Sequence, residues 1–165
     1  MPLFQKKLTP AFKFLILSSL CLLLFSAAHS QSAYIKKYKP LARELSLEFG
    51  IPASVILGIA IVESSGGAGK TSKLLNNHFG IVGKNDVKKT HKVKTRYKQY
   101  PNAAASFRDF CKMISKKKFY SKLKGNTHYL LWLDAISKTG YSEAPAVWKK
   151  RIAGVIQKNK LDQIV

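Results

Sequence analysis

Residues 50–83 read GIPASVILGIAIVESSGGAGKTSKLLNNHFGIVG. Pro52 stands at an early helical position, an almost unbroken apolar run follows from Val55 to Val62, and the pair Gly66-Gly67 supplies a stop. A helix that is apolar on every side belongs in the interior of a domain. The stretch therefore predicts a central buried helix around which the rest of the chain packs.

One charge interrupts this helix, at Glu63, on the face that also carries Ile56 and Ala60. Partial burial and the negative end of the helix dipole both favour the protonated carboxyl, so we expect its pKa to be raised. A carboxylic acid that keeps its proton near neutral pH is what cleavage of a glycosidic bond requires. The alternative is a solvated charge at a helix end, as most glutamates are.

The segments after Glu63 carry a family resemblance. The helix ends in Glu63-Ser64, and a glycine loop leads to Asn76-Asn77-His78-Phe79-Gly80-Ile81. Further on come Arg96-Tyr97-Lys98-Gln99-Tyr100-Pro101 and Gly140-Tyr141-Ser142-Glu143-Ala144-Pro145. In this order, across roughly residues 34–160, the segments resemble the glucosaminidase family of peptidoglycan hydrolases. Lytic transglycosylases share the Glu-Ser helix end but typically continue with a Gly-Leu-Met-Gln type of segment, which is absent here.

The resemblance implies a reaction and a set of site residues. The reaction is hydrolysis of the β-1,4 bond on the reducing side of N-acetylglucosamine in peptidoglycan, without a cofactor. Glu63 matches the catalytic acid of the family, and Tyr141 matches an active-site tyrosine beside the sugar. The expected substrate-binding residues in these motifs are Ser64, Asn77 and Phe79.

The second carboxylate of many family members has one candidate here. Between Gly83 and Pro101 only Asp86 is acidic. Either Asp86 is a catalytic base for the water, or the 2-acetamido group of the substrate stabilises the oxocarbenium-like state, with Tyr141 orienting it. The lysines around Asp86 would neutralise it as a base, so substrate assistance is the favoured interpretation.

Residues 1–30 have the pattern of a secretory signal peptide, with a basic start, an apolar run from Phe14 to Phe25 and small residues before Gln31. Residues 31–165 would then form one catalytic domain, secreted or periplasmic and without a stable membrane anchor. These residues hold 26 of the 29 Lys and Arg and all eight acids, a net charge of +18. No nucleic-acid-binding motif accompanies this charge, so the glycan strands of the anionic cell wall are the expected partner.

Residues 91–98 alternate between basic and other side chains, a period of two that predicts a half-exposed strand. With residues 87–89 it would form a small β-hairpin. The basic row, including Lys94, would then face the glycan and bind substrate, or it would only protect an exposed sheet edge from aggregation.

Apolar residues at three- and four-residue steps predict four further helices, the last beginning near Pro145 with Trp148 on its apolar face. The result is a mainly α, lysozyme-like helical domain with a small β-hairpin lobe. We expect a monomer, a buried thiol at Cys111 and no metal site, because His78, His91 and His128 lack the spacing of metal ligands. Two other functions stay open: a lytic transglycosylase that leaves 1,6-anhydro ends, or a cationic wall-binding protein without catalysis.

Overall fold

The computed structural model describes residues 31–164, which fold into eight α-helices and a final 3-10 turn. Apart from short turns, the connections between helices are irregular. The helices are α1 (residues 31–49), α2 (Ala53–Ser64), α3 (Lys70–Leu75), α4 (Val87–His91), α5 (Ala103–Ser115), α6 (Tyr120–Leu123), α7 (Tyr129–Ser137) and α8 (Pro145–Lys158), and the 3-10 turn is Leu161–Gln163. The mainly α class is therefore confirmed.

Helix α2 lies at the centre of the domain, as its composition predicts. Ten of its 12 residues are buried, and it packs against α5, α7, α8 and the 3-10 turn. The closest approach is to α8, at Gly58. A Cβ added there would lie 2.8 Å from Ile156 Cγ1 and 3.2 Å from Ile152 Cγ2, so only glycine allows this helix spacing.

The surrounding helices place amphipathic faces on α2. Helix α5 begins at Asn102, whose Oδ1 accepts a hydrogen bond from the backbone N–H of Ala105 at 2.9 Å, a regular N-cap. Its buried face presents Phe107 and Phe110 to the core. Helix α8 begins with Pro145, where the missing N–H is not needed, and buries Trp148 and two isoleucines.

The predicted β-hairpin lobe is wrong. Residues 87–91 form helix α4, anchored by the fully buried Val87, and among the described residues Val82 and Tyr97 form only an isolated antiparallel bridge. The extended segment satisfies its carbonyls differently: the Asn85 side-chain amide donates to the Thr95 and Tyr97 carbonyls at 3.0 and 2.8 Å. Backbone hydrogen bonds from Gly83 N–H to the Arg96 carbonyl at 3.0 Å and from Lys98 N–H to the Ile81 carbonyl at 2.8 Å pair the segment with residues 81–84 instead of 87–89.

Membrane spans, metal sites and cysteines can be assessed within the described part of the chain. Over residues 31–164, no helix is both long and apolar enough to cross a bilayer. No group of His, Cys, Asp and Glu within the same residues could hold a metal ion. Cys111 is a buried free thiol, as predicted. The predicted signal peptide lies outside the described residues.

Candidate active site

Glu63 lies half-buried in the last turn of α2, beside the start of α8. Its Oε1 accepts a hydrogen bond from the indole Nε1–H of Trp148 at 2.8 Å. Its other oxygen, Oε2, makes no hydrogen bond within the part of the chain that the structure describes. One oxygen is therefore held in place while the second stays free to carry and transfer a proton.

The environment favours the neutral form of this carboxyl. Burial raises the pKa of Glu63 above its ordinary value and outweighs two opposing effects, the hydrogen bond from Trp148 and the positive charge of Arg151. The expectation of a raised pKa is confirmed in direction. Desolvation is the main cause.

Gly80 brings the backbone close to the free oxygen of Glu63. It has φ +65°, and a Cβ added there would lie 3.6 Å from Glu63 Oε2 and 3.9 Å from Tyr97 Cε1. The left-handed backbone conformation favours glycine, while the two distances are those of ordinary van der Waals contact. The turn at Phe79-Gly80 therefore forms one wall of the space in front of the carboxyl.

Asn77 holds this turn in place. Its side-chain amide donates to the carbonyls of Ile81 and Lys98, both at 2.8 Å, and its Oδ1 accepts from the N–H groups of Phe79 and Ile81. The residue is buried. These four bonds use the full hydrogen-bonding capacity of the side-chain amide. Asn77 therefore supports the turn from behind the cleft and leaves no group for a ligand.

Tyr141 links the turn to the carboxyl. Its hydroxyl donates to the Phe79 carbonyl at 2.7 Å, and its ring centroid lies 5.5 Å from that of Trp148. Burial, followed by the nearby Glu63, raises the pKa of Tyr141 well above its usual value. The hydroxyl thus stays protonated, and its oxygen keeps a lone pair for a ligand.

Phe79 and Ser64 also take defined places. The Phe79 ring is stacked on Phe110 at 4.3 Å, and the residue lines the cleft. Ser64, by contrast, is buried: its hydroxyl donates to the Ala60 carbonyl at 2.6 Å and accepts from the Gly67 N–H at 2.9 Å. Ser64 therefore shapes the helix end and the glycine loop rather than the cleft surface.

The cleft in front of Glu63 has a volume of about 760 Å³. Its remaining walls come from the 80–82 turn, from Arg96 and Tyr97, and from the loop 140–144. Asp86 and Lys94 are exposed and do not line it. The structure thus brings Glu63, Phe79 and Tyr141 together, and it leaves Asp86 and Lys94 outside this group.

Several cleft residues were missed by the sequence analysis. Trp148 was predicted only as part of a helix face, and Glu143 only as part of a turn motif, yet the first holds Glu63 and the second lines the cleft. Arg96 and Tyr97 line it beside them, and Arg151 lies close enough to affect the carboxyl. The role of Trp148 depends on how α8 packs on α2, which the spacing of apolar residues does not indicate.

A helical domain with a half-buried carboxyl of raised pKa in an open cleft has the architecture of a lysozyme-like glycoside hydrolase. The model of one such family, described as mannosyl-glycoprotein endo-beta-N-acetylglucosaminidase, matches residues 39–161. The chain therefore belongs to the glucosaminidase family, and the resemblance found in its motifs is confirmed. This membership supports a glycoside hydrolase that acts on peptidoglycan.

Two solved structures share the fold. The catalytic domain of the autolysin Auto from Listeria monocytogenes superposes with a TM-score of 0.67 and 18% identity, over 82% of this chain and 88% of the other. A type VI secretion system effector-immunity complex from Pseudomonas protegens contains a chain with a TM-score of 0.58 and 18% identity, over 76% and 91% of the two chains. A search of curated proteins finds no significant match.

Proposed function

We propose that the protein hydrolyses the β-1,4 bond on the reducing side of N-acetylglucosamine in peptidoglycan, with Glu63 as the general acid. The observation that carries this proposal is the half-buried carboxyl with a raised pKa and one free oxygen at the cleft. A raised pKa favours the protonated carboxyl, which is the form that can transfer its proton to a leaving group. Membership of the glucosaminidase family supports the same reaction class.

In the proposed mechanism, Glu63 Oε2 gives its proton to the glycosidic oxygen while the bond from that oxygen to C1 breaks. The carbonyl oxygen of the 2-acetamido group then bonds to C1 from the opposite face. The resulting Glu63 carboxylate accepts a proton from water as the water opens this intermediate. The Tyr141 hydroxyl donates its own proton to the Phe79 carbonyl. Its oxygen can accept a hydrogen bond from the acetamido N–H and so orient the acetamido group.

Substrate assistance is supported by the position of the other carboxylates. Asp86 is exposed and outside the cleft. Glu143 lines the cleft but is exposed to solvent. We therefore assign no catalytic role to Asp86, which the sequence offered as a possible base. Glu143 is the carboxylate whose substitution tests the substrate-assisted mechanism.

The setting of the reaction is proposed from the charge and the relatives. A net charge of +18 on residues 31–165 suits an anionic wall polymer, and one solved structure of this fold is named an autolysin. We propose a monomeric enzyme that is secreted or periplasmic after removal of residues 1–30 and that acts on glycan strands. Lys94 would contribute to attraction by the wall.

Digestion of purified sacculi tests the proposal. The protein should clear the suspension and release fragments with N-acetylglucosamine at the new reducing end, identified by borohydride reduction and mass spectrometry. Fragments lighter by one water would instead show a lytic transglycosylase, a reaction that a carboxyl with a raised pKa also suits. Binding to sacculi without any fragment would show a wall-binding protein and would refute the enzymatic proposal.

A further inference from the structure

A second recess adjoins Glu63 on the side of helix α8. It has a volume of about 300 Å³ and lies between the end of α2, the loop at 142–144 and the α8 face that carries Val147, Trp148 and Arg151. Glu63 belongs to both this recess and the main cleft. A glycan bound at Glu63 would therefore have a pocket beside the scissile bond in which a substituent of the sugar can lie.

Arg151 is the cation of this recess, and it is exposed. The ion pairs among residues 31–164 occupy Lys98, Arg108, Lys138 and Lys149, and Arg151 belongs to none of them. One turn earlier on the same helix face, Trp148 is fixed by its bond to Glu63. The guanidinium is thus available in the same recess that Glu63 lines.

A free cation is unfavourable for a general acid. Arg151 lowers the pKa of Glu63, whereas the function requires a raised one. The other ionisable groups around the carboxyl are Tyr141 and Glu143 of the 140–144 loop and Arg96 and Tyr97 across the cleft. Among these groups, Arg151 is the one whose charge lowers the pKa of Glu63, in opposition to the increase caused by burial. Its place next to the acid therefore calls for a role with the substrate.

We propose that Arg151 binds a carboxylate of the substrate in this recess and is a specificity-determining residue for anionic glycan. The inference rests on the proposed function. Guanidinium groups pair with carboxylates through two parallel hydrogen bonds, which fix orientation as well as charge. Peptidoglycan offers two sources of such a group: the wall peptide, and the lactyl substituent of the sugar once the peptide has been removed.

The pairing would also assist the acid. A bound carboxylate neutralises Arg151, so its effect on Glu63 disappears only when the correct substrate is present. The proton of Glu63 is then held more firmly in the complex than in the free enzyme. An uncharged glycan lacks this effect and should be a poorer substrate, even where its sugar ring fits the cleft.

Three soluble substrates and two matched variants test this inference. The substrates are uncross-linked glycan strands with native peptides, the same strands with all carboxylates converted to amides, and strands stripped of peptide by an amidase, which frees the lactyl carboxylates. The variants are Arg151→Gln and the control Lys150→Gln, which makes the same charge change at the preceding, exposed position of α8. Circular dichroism and thermal melting confirm that both variants fold.

We expect Arg151→Gln to lower kcat/KM about tenfold on a carboxylate-bearing substrate and by less than about twofold on the amidated strands. Lys150→Gln should match the wild type on all three. Sensitivity on native strands identifies the peptide as the source, and sensitivity confined to stripped strands identifies the lactyl group. Arg151→Lys, which keeps the charge but loses the paired hydrogen bonds, should recover part of the loss.

The pH profile provides a readout that a structural role would not change. Removing the cation should shift the alkaline limb of kcat/KM, which reports the free enzyme, to higher pH. Equal losses by Arg151→Gln on native and amidated strands, or an unmoved alkaline limb, would overturn the inference. If the wild type cleaves none of the three substrates, the proposed function fails, and this inference fails with it.

Discussion

Two neighbouring residues, Glu63 and Ser64, lead to opposite sides of the α2 terminus. On the cleft side, Glu63 has one oxygen bound to Trp148 and one free. On the buried side, Ser64, Ser72 and His78 make hydrogen bonds with the glycine loop, Tyr34 and Ser106. We call these the cleft side and the buried side.

The comparison separates reactivity from stability. The buried side pairs its polar groups with one another, which is what stabilises buried polar atoms. The cleft side keeps a partly desolvated carboxyl without a full set of partners, which lowers stability but suits proton transfer. Substitutions on the two sides should therefore affect different measurements.

The largest expected effect is the loss of activity in Glu63→Gln. Glutamine keeps the shape and the bond from Trp148 but removes the transferable proton, so turnover should fall about 10²- to 10⁴-fold. The unfolding free energy, measured with urea, should stay unchanged or increase, because a half-buried acid is lost. Near-normal turnover on sacculi would remove Glu63 from the mechanism and make the cleft side merely structural.

The next largest effect is expected at Asn77, which holds the turn between the cleft side and the buried side. Asn77→Ala removes four hydrogen bonds and leaves buried partners unsatisfied, so the unfolding free energy should fall by about 2–3 kcal/mol. Asn159→Ala, which removes a single bond to Val155 at the far end of α8, is the matched control and should cost less than about 1 kcal/mol. Lost activity with unchanged stability would instead place Asn77 on the substrate, as the family motif suggested.

Acid should affect the two sides in opposite directions. Burial, followed by the charge of Lys37, lowers the pKa of His78 to about 4, from an ordinary value of 6.5. The unfolded chain takes up this proton as pH falls below 6.5 while the folded protein does not until about pH 4, so His78 destabilises the fold in that window, by at most about 1.4 kcal/mol per pH unit. Glu63, with a raised folded pKa, gains its proton earlier in the folded protein and opposes the loss.

Urea unfolding between pH 7 and pH 4 measures this opposition. His78→Gln should flatten the decline in unfolding free energy, and Glu63→Gln should steepen it. His128→Gln, at an exposed position, is the control and should leave the slope unchanged. Identical slopes for all four proteins would mean that neither side contributes a perturbed group.

A smaller effect is expected from the remaining carboxylates near the cleft. Asp86→Asn should lower turnover less than about tenfold, or 1.4 kcal/mol of transition-state stabilisation, because Asp86 is outside the cleft. Glu143→Gln should cost more than Asp86→Asn but far less than Glu63→Gln, since Glu143 lines the cleft without being enclosed. A hundredfold loss at either position, with folding intact, would restore a two-carboxylate mechanism.

The smallest effect concerns the exposed cations. Replacing Lys92, Lys94 and Arg96 with Gln should weaken binding to sacculi more than the same change at residues 116–118, and both effects should shrink as salt rises. Lys98 is left out because it pairs with Asp109 at 2.7 Å and so supports the fold. Equal weakening by the two sets would mean that attraction to the wall depends on total charge alone.

Much of the fold follows from periodicity, and the exception has a physical cause. The apolar run of α2 and the spaced apolar residues of α5 and α8 predict helices at the observed places, because burial of one face determines these elements. Alternation in residues 91–98 predicts extended backbone but does not identify its partner. That partner is the short stretch 81–84, supplemented by the side chain of Asn85, and no period in residues 91–98 can indicate it.

The site divides in a similar way. Glu63 is predictable because a charge within an apolar helix is exceptional. The family motifs predict Phe79 and Tyr141 as its neighbours, and both line the same cleft in the structure. Trp148 looks like a core residue by its spacing, and its role depends on where α8 crosses α2. Ser64 and Asn77 look like ligand-binding residues, yet their hydrogen bonds lie within the protein. Motifs identify residues near a site without saying which way a side chain points.

The close crossing of α2 and α8 at Gly58 links the size of the core side chains to Glu63, about one and a half turns further along α2. An alanine at this position would push Ile156 outward, and the displaced α8 would draw the Trp148 indole away from Glu63. A shorter side chain at position 156 would make room for the alanine and restore the helix spacing. A substitution in the cleft would not restore it. Positions 58 and 156 should therefore vary together among related chains, with a larger residue at one accompanied by a smaller residue at the other.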